Sequence, residues 1–197
     1  MAESRAFSEA LAFGKDGEHR IAQALLRRGN TVVPLYQYLN HDAAPVALLP
    51  NEQNGVRAVI LPDLTVWSIN GTVRFVEVKR KQRWVSFMPH LETGFNAHLF
   101  DEYLTLQRRT KTPIHVFFLH EVQPPTGVFV GNLEEMAQRV RIWNGKAQAL
   151  QIIEQDHELR VTEVTRHVTK ALALFPFDTL KRLWTLEELE RLVTAAA

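Results

Sequence analysis

A chain of 197 residues with 46% hydrophobic and 23% charged content can bury one full core and has the charge density of an ordinary globular protein. It contains no cysteine, which excludes disulfides, thiolate zinc sites and a cysteine nucleophile. A net charge of +1 predicts no general affinity for polyanions, no apolar run approaches membrane-spanning length, and the N-terminus lacks a signal-peptide core, so a cytoplasmic location is expected.

Residues from about Ser4 to Arg28 carry helical periodicity. Phe7, Leu11, Gly14, Glu18, Ile21, Ala22 and Leu25 fall on one face, and Gly29-Asn30 ends the run. Glu18 sits inside this stripe, where a carboxylate must be paired, protonated or metal-bound. A small change of helix phase would leave it at the stripe's edge instead. Gly14 and Gly17 would let the helix approach a sheet closely. Thr31 to Tyr36 reads as a strand, with Pro34 favouring an edge position or a bulge. Residues 40–54 contain Pro45, Pro50, Asn51 and Asn54 and read as a long loop of the kind that often binds ligands; Val56 to Ile60 lead out of it.

Two runs rich in Val, Ile, Thr, Phe and Trp, Leu61 to Trp67 and Val73 to Lys79, flank Asn70-Gly71 and predict a β-hairpin. Glu77 and Lys79 are two residues apart and share a face of the second strand. A two-residue Asn70-Gly71 loop would set Asp63 opposite Val78. A three-residue loop, Ile69 to Gly71 with Gly71 left-handed, would set Asp63 opposite Glu77. Carboxylate chemistry at this end of the hairpin requires the second register or a bend at Pro62.

Beyond Lys79 the chain is basic. Arg74 to Arg83 holds five Lys/Arg and one acid, and Arg108, Arg109 and Lys111 form a second basic knot. Both suit a phosphate-bearing substrate, although a basic edge strand also reads this way. Trp84 and Phe87, interleaved with these charges, either stack on a base or simply pack. The stretch through Met88-Pro89 and Gly94 reads as irregular. Asn96 or Ala97 to Arg109 is the next helix, with Phe100, Tyr103, Leu104 and Gln107 on its inner face. Thr112 to His120 is a nearly continuous apolar run, expected of a strand buried on both faces and parallel to part of the sheet. Gly127 to Val130 reads as another strand, and Asn132 as the N-cap of a short helix. Ala149 to Ile153 with Glu158 to Val164 suggests a hairpin, and Thr185 opens an amphipathic C-terminal helix.

Pro62-Asp63, followed by Glu77-Val78-Lys79 with the glutamate fourteen residues after the aspartate, resembles the signature of the PD-(D/E)xK nuclease superfamily. That group includes restriction endonucleases, Holliday-junction resolvases and helicase-attached exonucleases. Gly17-Glu18 on the first helix resembles its further acidic position, and Tyr103-x-x-x-Gln107-Arg108 resembles the helix after its catalytic hairpin. The order helix, strand, hairpin, helix, strand is similar to its common core from about Phe7 to His120.

The resemblance implies an α/β fold with a central mixed β-sheet flanked by helices, as in restriction endonucleases. Residues 1–130 would form this core, and 131–197 a small α+β extension packed on it or on a partner subunit. It implies a cytoplasmic, Mg²⁺- or Mn²⁺-dependent DNA endonuclease that hydrolyses phosphodiester bonds, with branched or junction DNA among the expected substrates. Asp63, Glu77 and Glu18 with the Val78 carbonyl would hold the metal, Lys79 would act at the reacting phosphate, and Arg80, Lys81, Arg83, Tyr103, Gln107 and Arg108 would engage the substrate or steady the site. Hard oxygen donors without cysteine suit Mg²⁺ or Mn²⁺ better than zinc. Symmetric cutting of both strands would call for a homodimer. The alternative is a non-catalytic nucleic-acid-binding or inhibitor module on the same fold.

Overall fold

A computed structural model describes residues 2–35, 46–50, 56–87, 90–143, 149–155, 158–164 and 171–194. Helix α1 (Ala2–Arg27) is stopped by Gly29 at φ 80° and by Asn30, whose side-chain amide donates to the Leu25 carbonyl at 2.8 Å. Strand β1 (Thr31–Pro34) follows and lies at the edge of the main sheet, where the missing N–H of Pro34 costs nothing.

The expected long loop is not entirely irregular. Within it, β2 (Val46–Pro50) pairs antiparallel with β3 (Val56–Ile60) as a separate ribbon. Pro50 stands at the last position of its strand, so this proline marks a strand's limit instead. The ribbon is held by Leu49 and Val59, which are buried with helix α2 (Ala97–Thr110), and by Arg57 donating to Glu102 at 2.6 Å. The remainder of 40–54 lies outside the described residues.

The hairpin forms from β4 (Leu64–Trp67) and β5 (Val73–Lys81). Strands β6 (Val85–Phe87) and β7 (His90–Asn96) then occupy the stretch expected to be irregular. A Cβ on Gly94 would lie 2.1 Å from the Ala173 carbonyl, so this glycine marks a close strand approach rather than a loop. Asn96 caps α2 by accepting the His98 N–H at 2.9 Å, and Lys111 ends it in the left-handed region. The helix carries the chain to β8 (Ile114–His120), which pairs parallel with β5, as a crossover connection requires. Strand β9 (Gly127–Asn132) and helix α3 (Leu133–Ala137) follow, and Asn132 accepts the Glu134 N–H as an N-cap.

Residues 131–197, expected as an extension packed on the core or on a partner, include β10 (Arg141–Trp143), β11 (Ala149–Gln155), β12 (Glu158–Val164), β13 (Leu172–Pro176), β14 (Lys181–Trp184) and α4 (Leu186–Thr194). Strand β14 completes the six-stranded sheet β1-β4-β5-β8-β9-β14, and β13 joins the second sheet, β10-β13-β7-β6. Strands β11 and β12 form their own hairpin. Thr185 and Glu188 exchange N–H bonds at 2.8 and 3.1 Å, a reciprocal cap that opens α4 and contributes on the order of 1 kcal/mol.

The result is an α/β fold with a central mixed sheet flanked by helices. One face packs against α1 and α4 through Ile21, Leu25, Val66, Val78, Phe117 and Leu189. The other packs against α2, α3 and the second sheet through Tyr103, Phe95, Phe118, Phe129 and Phe175. Two-residue alternation therefore decides which core each side chain of β5 enters. No described helix is long and apolar enough to cross a membrane.

Candidate active site

The hairpin adopts the three-residue loop. Ser68 donates its N–H to the Thr72 carbonyl and receives the Gly71 N–H, both at 2.8 Å, and Gly71 has φ 81°. Leu64 accordingly pairs with Val76, and one further step along this register sets Asp63 opposite Glu77. Pro62 lies where the next ladder N–H would be, and β4 ends.

That ending creates a gap beside β5. Phe75 donates its N–H toward β8, to the Pro113 carbonyl at 3.0 Å, so the alternate N–H of Val78 points toward the β4 side. Asp63 Oδ2 accepts it at 2.7 Å, replacing the missing strand neighbour. Glu77 faces the α2 side and is 1% exposed. A carboxylate so buried costs several kcal/mol unless compensated. Two partners compensate it: the Lys79 ammonium forms an ion pair with Oε1, and Tyr103 Oη donates to Oε2 at 2.7 Å. Tyr103 is therefore a first-hand partner of the hairpin, as its place on the inner face of α2 suggested.

Glu18, on α1, lies near enough to this centre to interact electrostatically with Glu77 and Lys79. A Cβ on Gly17 would lie 3.0 Å from Arg80 Cβ, a tight contact that glycine avoids; Gly14, by contrast, faces open space. Burial raises the Asp63 carboxyl well above its ordinary range, and the Glu77 and Glu18 carboxylates raise it further against the opposing Lys79 and the Val78 N–H. Burial and Glu77 likewise raise Glu18, with Lys79 and Lys15 opposing. Burial alone would lower Lys79, but Glu77, Asp63 and Glu18 together raise it, so it stays an ammonium at neutral pH. Burial and the same acids push the Tyr103 hydroxyl up, keeping it a donor. Three carboxylates against one ammonium leave an excess of two negative charges when all are ionised. That excess and the hard oxygen donors fit a divalent cation, although among the described residues no three His, Asp or Glu side chains already converge as a metal cage.

The other expected site residues divide. Lys81 shares the Glu77–Lys79 face, and Arg83 is exposed just past the strand's end. Arg80 does not join them: it turns to the opposite face, where it pairs with Asp16 at 2.8 Å and with Glu121, and lies 3.9 Å from the Phe13 ring. Glu121, which nothing in the sequence singled out, also binds Arg20 and so ties α1 to the end of β8. Gln107 turns away from Glu77; its Oε1 accepts the Ile114 N–H at 2.7 Å and caps the start of β8. Arg108 is exposed on α2. Trp84 is buried, stacked on His120 with centroids 3.7 Å apart, its indole N–H donated to the Pro125 carbonyl, so it packs the core rather than offering a platform for a base. The side chain of Phe87 lies outside the described residues.

No family model matches the chain. No curated protein matches it either. Among solved structures, it is similar to Hjc, a Holliday junction resolvase from the archaeal hyperthermophile Archaeoglobus fulgidus. The similarity is 15% identity and a TM-score of 0.40, over 62% of this chain and 79% of that one.

Proposed function

We propose that the chain is a Mg²⁺- or Mn²⁺-dependent deoxyribonuclease that hydrolyses phosphodiester bonds. The observation that carries this is the hairpin register, which sets Asp63 across from Glu77 with the Lys79 ammonium on the Glu77 carboxylate. Asp63 and Glu77, joined by Glu18 and the Val78 carbonyl, would hold the cation. An extended residue turns its N–H and carbonyl to the same edge, so the Val78 carbonyl faces the gap beside Asp63. When bound, the metal would supply a water of lowered pKa and a Lewis acid for the scissile phosphate.

The chain's own groups have separable tasks. Tyr103 fixes the rotamer of Glu77 through its hydrogen bond and excludes water from that side. Lys79 is held charged, so it is no general base; it offsets the charge that gathers on the phosphate oxygens in the transition state. Lys81 and Arg83 extend a basic edge along which a DNA backbone would lie. A single centre cuts one strand, so cutting both in register would require a homodimer.

The test is incubation with supercoiled, linear, single-stranded and four-way-junction DNA in Mg²⁺, Mn²⁺, Ca²⁺ or EDTA. Cleavage in Mg²⁺ or Mn²⁺, binding without turnover in Ca²⁺, and no cleavage in EDTA or by Glu77→Gln are expected. Undiminished cleavage in EDTA would overturn the metal mechanism. The preference among the four DNAs would tell whether branched DNA is the substrate.

A further inference from the structure

Lys79 and Lys81 stand on one face of β5, two residues apart, so their Cα atoms are separated by about 6.6 Å. Their circumstances differ. The Lys79 ammonium is answered by Glu77. Among the described residues no carboxylate pairs with Lys81, although the side chain is only partly exposed. Its cross-strand partner on β8 is His120, which is fully buried, stacked on Trp84, and hydrogen-bonded through Nε2 to Thr93 Oγ1 of β7 at 3.2 Å.

The carboxylates described on β7 and just beyond β8 are engaged elsewhere. On β5 the nearest is Lys79 itself. On β7, Glu92 is bound by Arg141 of β10. Beyond His120, Glu121 is bound by Arg20 and Arg80 on the opposite face of the sheet. Arg83, exposed just past the end of β5, is also cationic. Burial and the repulsion of Lys79 pull Lys81 down to about 8. Burial and Lys81 hold His120 down at about 3, so its ring is neutral and brings no charge to the pair. A half-buried ammonium without a counter-ion is costly, and an anionic group of the substrate would remove that cost.

Building on the nuclease reading above, we propose that Lys81 binds the backbone phosphate next to the scissile one on the strand being cut. The Lys79–Lys81 spacing is comparable with the separation of neighbouring phosphates along one strand, so one lysine would meet the reacting phosphate and the next its neighbour. Because no carboxylate among the described residues holds the Lys81 proton, this contact fades as pH rises through about 8.

The experiment is DNA binding in Ca²⁺ at constant ionic strength from pH 6.5 to 9.5, for wild type, Lys81→Ala and Lys81→Arg, with a salt series at pH 7. Wild-type affinity should fall as pH rises past about 8. Lys81→Ala should bind about tenfold more weakly at pH 7, with a flat pH profile and a salt slope smaller by about 0.9. Lys81→Arg should restore affinity and keep the flat profile, because arginine does not titrate there. Wild-type affinity and pH profile in Lys81→Ala, or an unaltered pH profile in Lys81→Arg, would overturn the proposal even if metal-dependent cleavage were intact. A Lys81-dependent profile in a protein that cleaves no DNA would support the phosphate contact and defeat the nuclease reading instead.

Discussion

The Asp63 carboxylate accepts the Val78 N–H at 2.7 Å, and so one acid both finishes the sheet and belongs to the charged centre. The two duties separate by substitution. Asparagine retains an acceptor oxygen of the same shape; alanine leaves the buried N–H without a partner. Asp63→Ala should therefore be less stable than Asp63→Asn by about 1–3 kcal/mol in urea denaturation at pH 7. Equal stabilities would mean that the hydrogen bond contributes nothing.

The raised carboxyls give the stability a pH dependence. Between the ordinary carboxylate range and the raised value of Asp63, the folded protein holds more protons than the unfolded one, so this contribution falls as pH rises through that window. Buried His120 acts in the opposite direction, since its folded value lies below its unfolded one. The informative quantity is the difference between wild type and Asp63→Asn, in which His120 cancels. In EDTA the Tm advantage of Asp63→Asn should grow as pH rises from about 4 toward neutrality, and saturating Mg²⁺ should shrink it by stabilising only the wild type. A difference independent of pH would contradict the electrostatic account of the site.

Helix α1 offers a paired control. Gly17→Val would press a branched side chain into Arg80 Cβ and should cost about 1–3 kcal/mol, lowering cleavage with it because Glu18 sits on the displaced turn. Gly14→Ala meets nothing within 4 Å and should stabilise the helix by up to about 1 kcal/mol. Thermal denaturation of both variants checks the pair, and a stable Gly17→Val would mean that α1 is not held close to β5 by this contact.

Much of the hairpin was legible in its residues, because the glycine at position 71 and the two-residue alternation of a strand jointly restrict the register. The same alternation separates Arg80 from Lys79 and Lys81, yet grouping the basic residues by sequence proximity hid it. What turned Arg80 inward was Asp16 and Phe13 on a helix some sixty residues away, a contact that no local pattern announces. Strand β7 was missed for a similar reason: Gly94 looks like a breaker until Ala173 of β13 is seen against it. Gln107 and Tyr103 share a helical face, but only the crossover to β8 decides that one caps Ile114 while the other reaches Glu77.

In the proposed reaction the Lys79 ammonium, held on Glu77, acts on the reacting phosphate. Single-turnover cleavage of plasmid DNA by Lys79→Gln at saturating protein in Mg²⁺, with DNA affinity measured in Ca²⁺, tests it most directly. Glutamine can still donate a hydrogen bond to Glu77 but carries no charge. A cleavage rate lower by at least about 10²-fold at unchanged affinity is the predicted result. Cleavage at the wild-type rate would rule out this role and leave Lys79 as no more than the partner that keeps Glu77 buried.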